Sequence, residues 1–235
     1  MGMNDSRASI TFLSPYLLAA VGIAAALAMI FVVAPTEETM GDVQRILYVH
    51  VAVAWFAMAA FLGTAATGAG FLLTRRIGWD HWSRATAETA WLCLTLTLAT
   101  GSLWARGAWN TWWTWDPRLT TVFILWAICS GYWLLRSGIE DVHRAARIGA
   151  VLAILGAIDL PLVVLATRWF RGMHPQTPAM AVSMRVAMLA SAAAFGLLFT
   201  MLTMRRRVQI QQESDAVRLE QDLDARDDAW TRNAA

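Results

Sequence analysis

Between residues 104 and 118 the chain reads WARGAWNTWWTWDPR, which places Trp104, Trp109, Trp112, Trp113 and Trp115 within twelve residues. A single indole at such a position reads as an interfacial anchor, but a cluster of five calls for more. Large flat rings gathered on one segment form a platform for a large flat apolar ligand, held by dispersion and stacking. Asp116 before Pro117 fits an N-cap and first-turn pair for a following helix. A role for Asp116 in the site is equally open.

The four histidines divide into two kinds. His81 and His143 lie among arginines, where a solvated role is expected. His50 opens an apolar run and His174 precedes another. Either one alone reads as an interface residue. Together, beside an indole platform, they suit the two axial positions of a haem iron, for which imidazole is a common protein ligand. Sequence spacing cannot pair them, since 124 residues separate them.

Arg45, Arg106, Arg118, Arg168 and Arg171 fall in the same set of connecting segments. They can meet ligand carboxylates with two parallel hydrogen bonds, or simply contact lipid headgroups. Three ionisable residues stand within apolar runs. Asp159 precedes Pro161 and Arg185 lies in the last run; charge at such depth is expensive and usually faces inward or is paired, so an Asp159–Arg185 pair is one expectation. Glu88 is close enough to a run's end to snorkel.

These residues must be positioned by membrane helices. Of the 235 residues 57% are apolar and only 15% charged, against roughly a quarter charged in a soluble domain. A span needs about 20 apolar residues, and six runs qualify or nearly so: 15–34, 46–74, 87–104, 119–135, 148–167 and 178–204. The first is longer than a signal-peptide core and is expected to be a retained helix; the second is long enough to begin as an interfacial turn. The fold expected is therefore all-α and polytopic, with six transmembrane helices.

All 19 basic residues are arginine. Ten lie on one side of the expected spans (7, 75, 76, 84, 136, 144, 147, 205, 206, 207) and five on the other, so the positive-inside rule predicts both termini in the cytoplasm. The segments 35–45, 105–118 and 168–177 then face outward. Residues 1–207 carry a net charge of +6 and residues 208–235 a net −4, which predicts a membrane domain, 1–207, followed by a charged cytoplasmic tail, 208–235. Val217, Leu219 and Leu223 give that tail a weak amphipathic pattern. Cys93 and Cys129 sit in apolar runs outside any CxxC or CxxCH element, which excludes a disulfide framework, thiol redox chemistry and covalent c-type haem attachment to this chain.

The run WARGAWNTWWTWDPRLT resembles the tryptophan-rich WWD motif of haem-handling proteins. RILYVHVAVAW and WFRGMH resemble the two flanking histidine elements of the cytochrome c maturation protein C (CcmC) family, and the resemblance covers about residues 12 to 205. Larger relatives share the WWD loop, but their greater length and span number favour CcmC. The sequence departs from the family pattern at Ala52, where proline is usual, and at Ala105 and Asn110, where glycine is usual; Pro175 rather than glutamine follows His174.

The resemblance implies haem b at the periplasmic face of the bacterial inner membrane, with His50 and His174 as axial ligands. Trp104, Trp109, Trp113, Trp115 and Asp116 would hold the porphyrin edge, and Arg45 and Arg118 the propionates. It further implies presentation of the haem to the chaperone CcmE for covalent attachment during c-type cytochrome biogenesis. Expected partners are the ABC transporter subunits CcmA and CcmB, the small protein CcmD and the lipid bilayer, with no nucleic acid. The sequence holds no nucleotide-binding loop, so an ATPase must be a partner, and no general acid, base or nucleophile committed to the attachment step. An assembly factor is therefore expected rather than an enzyme. Two other readings stay open: a haem b electron-transfer subunit, and a transporter or exporter of haem, against which stand missing broken-helix and inverted-repeat signals, although Asp159-Leu160-Pro161 leaves room for a break in the fifth span.

Overall fold

The computed structural model describes residues 3–174 and 180–234, with side chains from 15 to 174 and from 180 to 230. Among them there is no β-strand beyond one bridge between Glu37 and Gly41. Helix α1 (Met3–Ala28) starts ahead of the expected first span and is widened at its end into a π-helical turn, Met29–Val33, closed by the Ala34 N–H to the Met29 carbonyl at 2.9 Å. A 3-10 turn, Asp42–Arg45, lies ahead of α2 (Ile46–Thr74); the second apolar run is helical from its first residue rather than beginning as an interfacial turn. Then follow α3 (Ile77–Trp109), α4 (Pro117–Ser137), α5 (Val142–Gly156), α6 (Asp159–Trp169) and α7 (Val182–Ala234).

Five stretches are long and apolar enough to cross a membrane: Pro15–Val33, Asp42–Thr74, Pro117–Ser137, Val142–Trp169 and Val182–Trp230. The sixth, α3, has 33 residues and so about 50 Å of length, but carries threonines and tryptophans where the others carry aliphatic residues. Its hydroxyls turn back on their own helix: Thr89, Thr95, Thr97 and Thr100 each donate to the carbonyl four residues earlier at 2.7–3.1 Å. That leaves the threonine hydroxyls of this helix internally satisfied, as an apolar surrounding demands.

Helix α2 is the hub, packed on α3, α5 and α7. Small residues let its neighbours close in: a Cβ on Gly68 would sit 3.0 Å from the Ala150 backbone of α5. The largest core unites Val53, Ala57 and Phe61 of α2 with Cys93 and Leu94 of α3, Leu125 and Cys129 of α4, and Phe199 of α7. Both cysteines are free and buried.

The fifth crossing is not one continuous helix over 148–167 as expected. It begins at Val142, capped by the Asp141 carboxylate, and breaks at Ala157–Ile158. Pro161 then lies in the first turn of α6, where its missing N–H has no partner to lose. Asp159, at the head of α6, is buried, and its Oδ2 has no hydrogen-bond partner. Among the described residues no ion pair joins it to Arg185.

One more expectation changes, and another is added to, at the helix ends remote from Trp104. His81 is buried rather than solvated, next to an Asp80–Arg136 pair whose two hydrogen bonds are both 2.8 Å. Glu88, with its side chain 32% exposed, is paired as well as solvated: it receives the Arg206 guanidinium of α7 at 2.5 and 3.0 Å. Beyond Met204, α7 continues without a break, so residues 208–234 extend the last span as helix. Ile210 is buried, while Val217, Leu219 and Leu223 are exposed. The sixth run's first two residues, 178 and 179, and the end of the 168–177 segment lie outside the described residues.

Candidate functional site

The tryptophan run is half helix and half loop. Residues 104–109 form the last turns of α3, which stops because Asn110 turns left-handed, at φ 56°. Asparagine tolerates that conformation better than most non-glycine residues, and so fills a position where the resembled family usually has glycine. Ser102 Oγ donates to the Trp112 carbonyl at 2.7 Å and Thr111 Oγ1 to the Trp113 carbonyl at 3.0 Å, folding the loop back over α3. Asp116 caps α4, its Oδ1 accepting from the Arg118 N–H at 2.9 Å. Its Oδ2 faces the His174 N–H at 3.4 Å, so both open readings of Asp116, cap and site residue, have a geometric basis.

The start of α2, the end of α3, the start of α4 and the segment after α6 therefore meet at one end of the bundle. Between them lies a cleft whose empty space, counting its open mouth, is about 920 Å³. Its wall includes His50, His174, Trp104, Trp109, Trp113 and Arg118, six of the nine residues singled out from sequence. Below them it is apolar, running along α2 from Leu47 to Met58, a depth of about 16 Å at 1.5 Å per residue. Leu94, Val122, Leu125 and Val163 complete that lower part.

The aromatic rings form two groups. Trp104 and Trp109 meet edge-to-face at 4.8 Å, and Trp109 meets the His174 ring at 6.5 Å. Trp113 packs against Trp115 at 5.7 Å and Phe123 at 6.2 Å, and Phe123 stacks on Trp126. Elsewhere in the bundle less buried indoles find hydroxyls: Trp91 donates to Ser130 and Trp126 to Thr95, both at 2.9 Å. Trp104 and Trp113, on the cleft wall, are buried with no acceptor for Nε1. Buried indole N–H groups normally have a partner, which sets these two apart from the other indoles of the bundle.

His50 projects from the first turns of α2 against α3. Its Nδ1 is 3.0 Å from Thr100 Oγ1, and a Cβ on Gly101 would lie 3.0 Å from its Cε1. His174 follows Gly172, whose missing side chain leaves the room that the Asp116 carboxylate fills.

Three residues singled out from sequence are not on the wall. Arg45 is spent on the end of α1, bonding the Ile30 and Ala34 carbonyls, Thr36 and Asp42. Trp115 is 74% exposed and backs Trp113 and Phe123. Asp116 stands behind the wall, joining α4 to the His174 segment. Sequence reading missed Trp55, Thr97, Gly101 and Ser102, which line the cleft, and Thr100 behind His50. The available signal was the polar triplet Thr100–Gly101–Ser102 interrupting an apolar helix one turn before Trp104.

Comparison with known proteins identifies the family. The profile of the family described as "Heme exporter protein C" (CcmC) matches residues 6–220. A Bradyrhizobium diazoefficiens protein of that name is 34% identical over 201 residues, covering 79% of this chain and 76% of its own. The Haemophilus influenzae protein of the same name is 31% identical over 189 residues, 77% and 76% of the two chains. A Marchantia polymorpha relative, described as a ccmC-like mitochondrial protein of cytochrome c biosynthesis, is 31% identical over 142 residues, 60% of each chain.

Proposed function

The chain belongs to the CcmC family of haem-handling membrane proteins, and from that premise we propose that it binds haem b in the cleft and presents it for covalent attachment to a CcmE-like chaperone. The single observation that supports this most is the meeting of two histidines, four tryptophans and one arginine around one cleft. The residues suit the group: imidazoles for iron, indole faces for a porphyrin, a guanidinium for carboxylates, and aliphatic walls below. When bound, haem supplies an iron with two open axial positions and vinyl groups at which a partner can bond.

His50 and His174 are proposed as the axial ligands, with Trp104, Trp109 and Trp113 against the macrocycle and Trp115 buttressing Trp113. Arg118, in the first turn of α4, would hold a propionate. Arg45, outside the cleft lining, would hold a second propionate only by releasing the end of α1. Asp116 holds the His174 segment in register with α4. The arginine asymmetry puts the cleft on the periplasmic side and the Asp80–Arg136 end in the cytoplasm. Residues 1–207 act as the membrane domain, and 208–235 as a cytoplasmic extension. CcmA and CcmB supply the ATP-driven step, CcmD completes the assembly, and the bilayer surrounds it; the chemistry of attachment resides in haem and chaperone.

A second reading, movement of haem across the bilayer, is favoured by one observation. The crossing α5–α6 is broken beside the buried Asp159, and broken helices are characteristic of transporter binding sites. Coexpression of the chain with and without a CcmE-like chaperone separates the readings. Haem that leaves the purified chain for the chaperone supports presentation; haem uptake into chain-bearing vesicles without chaperone supports transport; haem that stays bound in both tests supports an electron-transfer subunit.

A further inference from the structure

We propose that Thr100 is the positioning residue of His50: its hydroxyl holds the imidazole as the Nδ1–H tautomer and so presents the Nε2 lone pair to the cleft. The inference rests on the reading of His50 as an iron ligand, but it is argued from hydrogen-bond bookkeeping alone. A threonine hydroxyl has one hydrogen and two lone pairs. That of Thr100 lies 2.7 Å from the Leu96 carbonyl, which can only accept. With its hydrogen committed there, the oxygen faces His50 Nδ1 at 3.0 Å as an acceptor, and Nδ1 must carry the proton.

The Thr97 carbonyl, 3.4 Å from the same hydroxyl, is a second acceptor for its hydrogen on its own helix. Neutral imidazole has one N–H and one lone pair, so Nε2 is left as the ligating atom. Gly101 completes the seat. The ring lies where a side chain at that position would stand, with Cε1 3.0 Å from the missing Cβ. Thr100 and Gly101 thus fix tautomer and ring placement from α3, while His50 itself stands on α2. Groups that orient a metal-ligating histidine through its second nitrogen typically affect metal affinity by about 10–100-fold.

The test uses the full chain in detergent, with histidine nitrogens labelled and the His50 signals assigned by their loss in His50→Gln. Nitrogen NMR of the haem-free protein is expected to show a protonated Nδ1 and an unprotonated Nε2. Thr100→Val is expected to let both tautomers appear and to weaken hemin binding by roughly 10–100-fold, while Thr100→Ser keeps the wild-type tautomer and affinity. A wild-type His50 protonated at Nε2 overturns the proposal, as does a Thr100→Val protein with unchanged tautomer and unchanged affinity. If Thr100→Val fails to fold, the wild-type tautomer still decides. Should the wild type bind no hemin, the haem reading fails, while the haem-free spectrum judges this inference separately.

Discussion

The Asp116 carboxylate joins two segments 58 residues apart, accepting the Arg118 N–H of α4 on Oδ1 at 2.9 Å and facing the His174 N–H with Oδ2 at 3.4 Å. One side chain thereby starts the helix that carries Arg118 and fixes the backbone that carries His174. The same carboxylate occupies the space that any side chain at Gly172 would need.

Asp116→Ala is expected to remove the cap, worth about 0.5–2 kcal/mol, and to release His174, so hemin affinity falls further than thermal stability does. Asp116→Asn keeps the carbonyl acceptor and is expected to be milder. Gly172→Ala forces the carboxylate aside and is expected to mimic Asp116→Ala in hemin titrations. Equal loss of stability and affinity in all three proteins would assign Asp116 to capping alone.

Arg118 and Arg45 are expected to separate by ligand. Arg118→Leu weakens hemin binding but has little further effect on haem whose propionates are esterified, because the lost interaction is with the carboxylates. Arg45→Leu acts mainly on stability, since it frees the Ile30 and Ala34 carbonyls at the end of α1. Titrating both variants with hemin and its dimethyl ester, alongside detergent melting, checks this assignment.

The Asp80–Arg136 pair is almost wholly buried, with side chains 3% and 9% exposed, and Arg136 also donates to the Ala145 carbonyl at 3.1 Å. Removing one partner leaves an uncompensated charge. Asp80→Leu alone is expected to destabilise the protein by about 3–5 kcal/mol, and the double variant with Arg136→Met to recover most of it. Denaturant unfolding in detergent measures both, and a double variant no better than the single one would contradict the prediction.

His81, ahead of the third span, is held below the ordinary imidazole pKa of 6.5 mainly by burial; Arg84 and Arg207 add to the effect, and Asp80 and Asp215 oppose it. The folded state therefore prefers the neutral ring, and the unfolded state takes up the proton first as pH falls. Its contribution to stability is present above about pH 6.5 and declines below it until the folded-state pKa is passed. His81→Gln is expected to flatten the acid side of the stability profile, measured by melting between pH 5 and pH 8; an unaltered profile would remove His81 from the account.

The residues of the cleft were legible to different degrees, for physical reasons. His50, His174 and the tryptophans announce themselves because imidazoles and clustered indoles at span ends have few ordinary uses. Thr100 and Gly101 do not, because a threonine that bonds its own helix and a glycine inside an apolar run look like routine membrane-helix residues until α2 is laid beside α3. Arg45 looked like a ligand residue from its type and position; its choice of the α1 carbonyls depends on where α1 ends. Pro161 signalled a weak point in the fifth span, yet the break falls at Ala157–Ile158, just after Gly156 packs closely against Phe61 and Ile128. The Glu88–Arg206 pair spans 118 residues, and no local pattern could announce it.

The most direct test of the account is the absorption spectrum of the hemin-loaded protein beside His50→Gly and His174→Gly, with and without added imidazole. The account predicts a low-spin, six-coordinate spectrum in the wild type, its loss in each variant, and its return when free imidazole fills the vacated position. Wild-type spectra in both variants would show that these two histidines do not hold the iron.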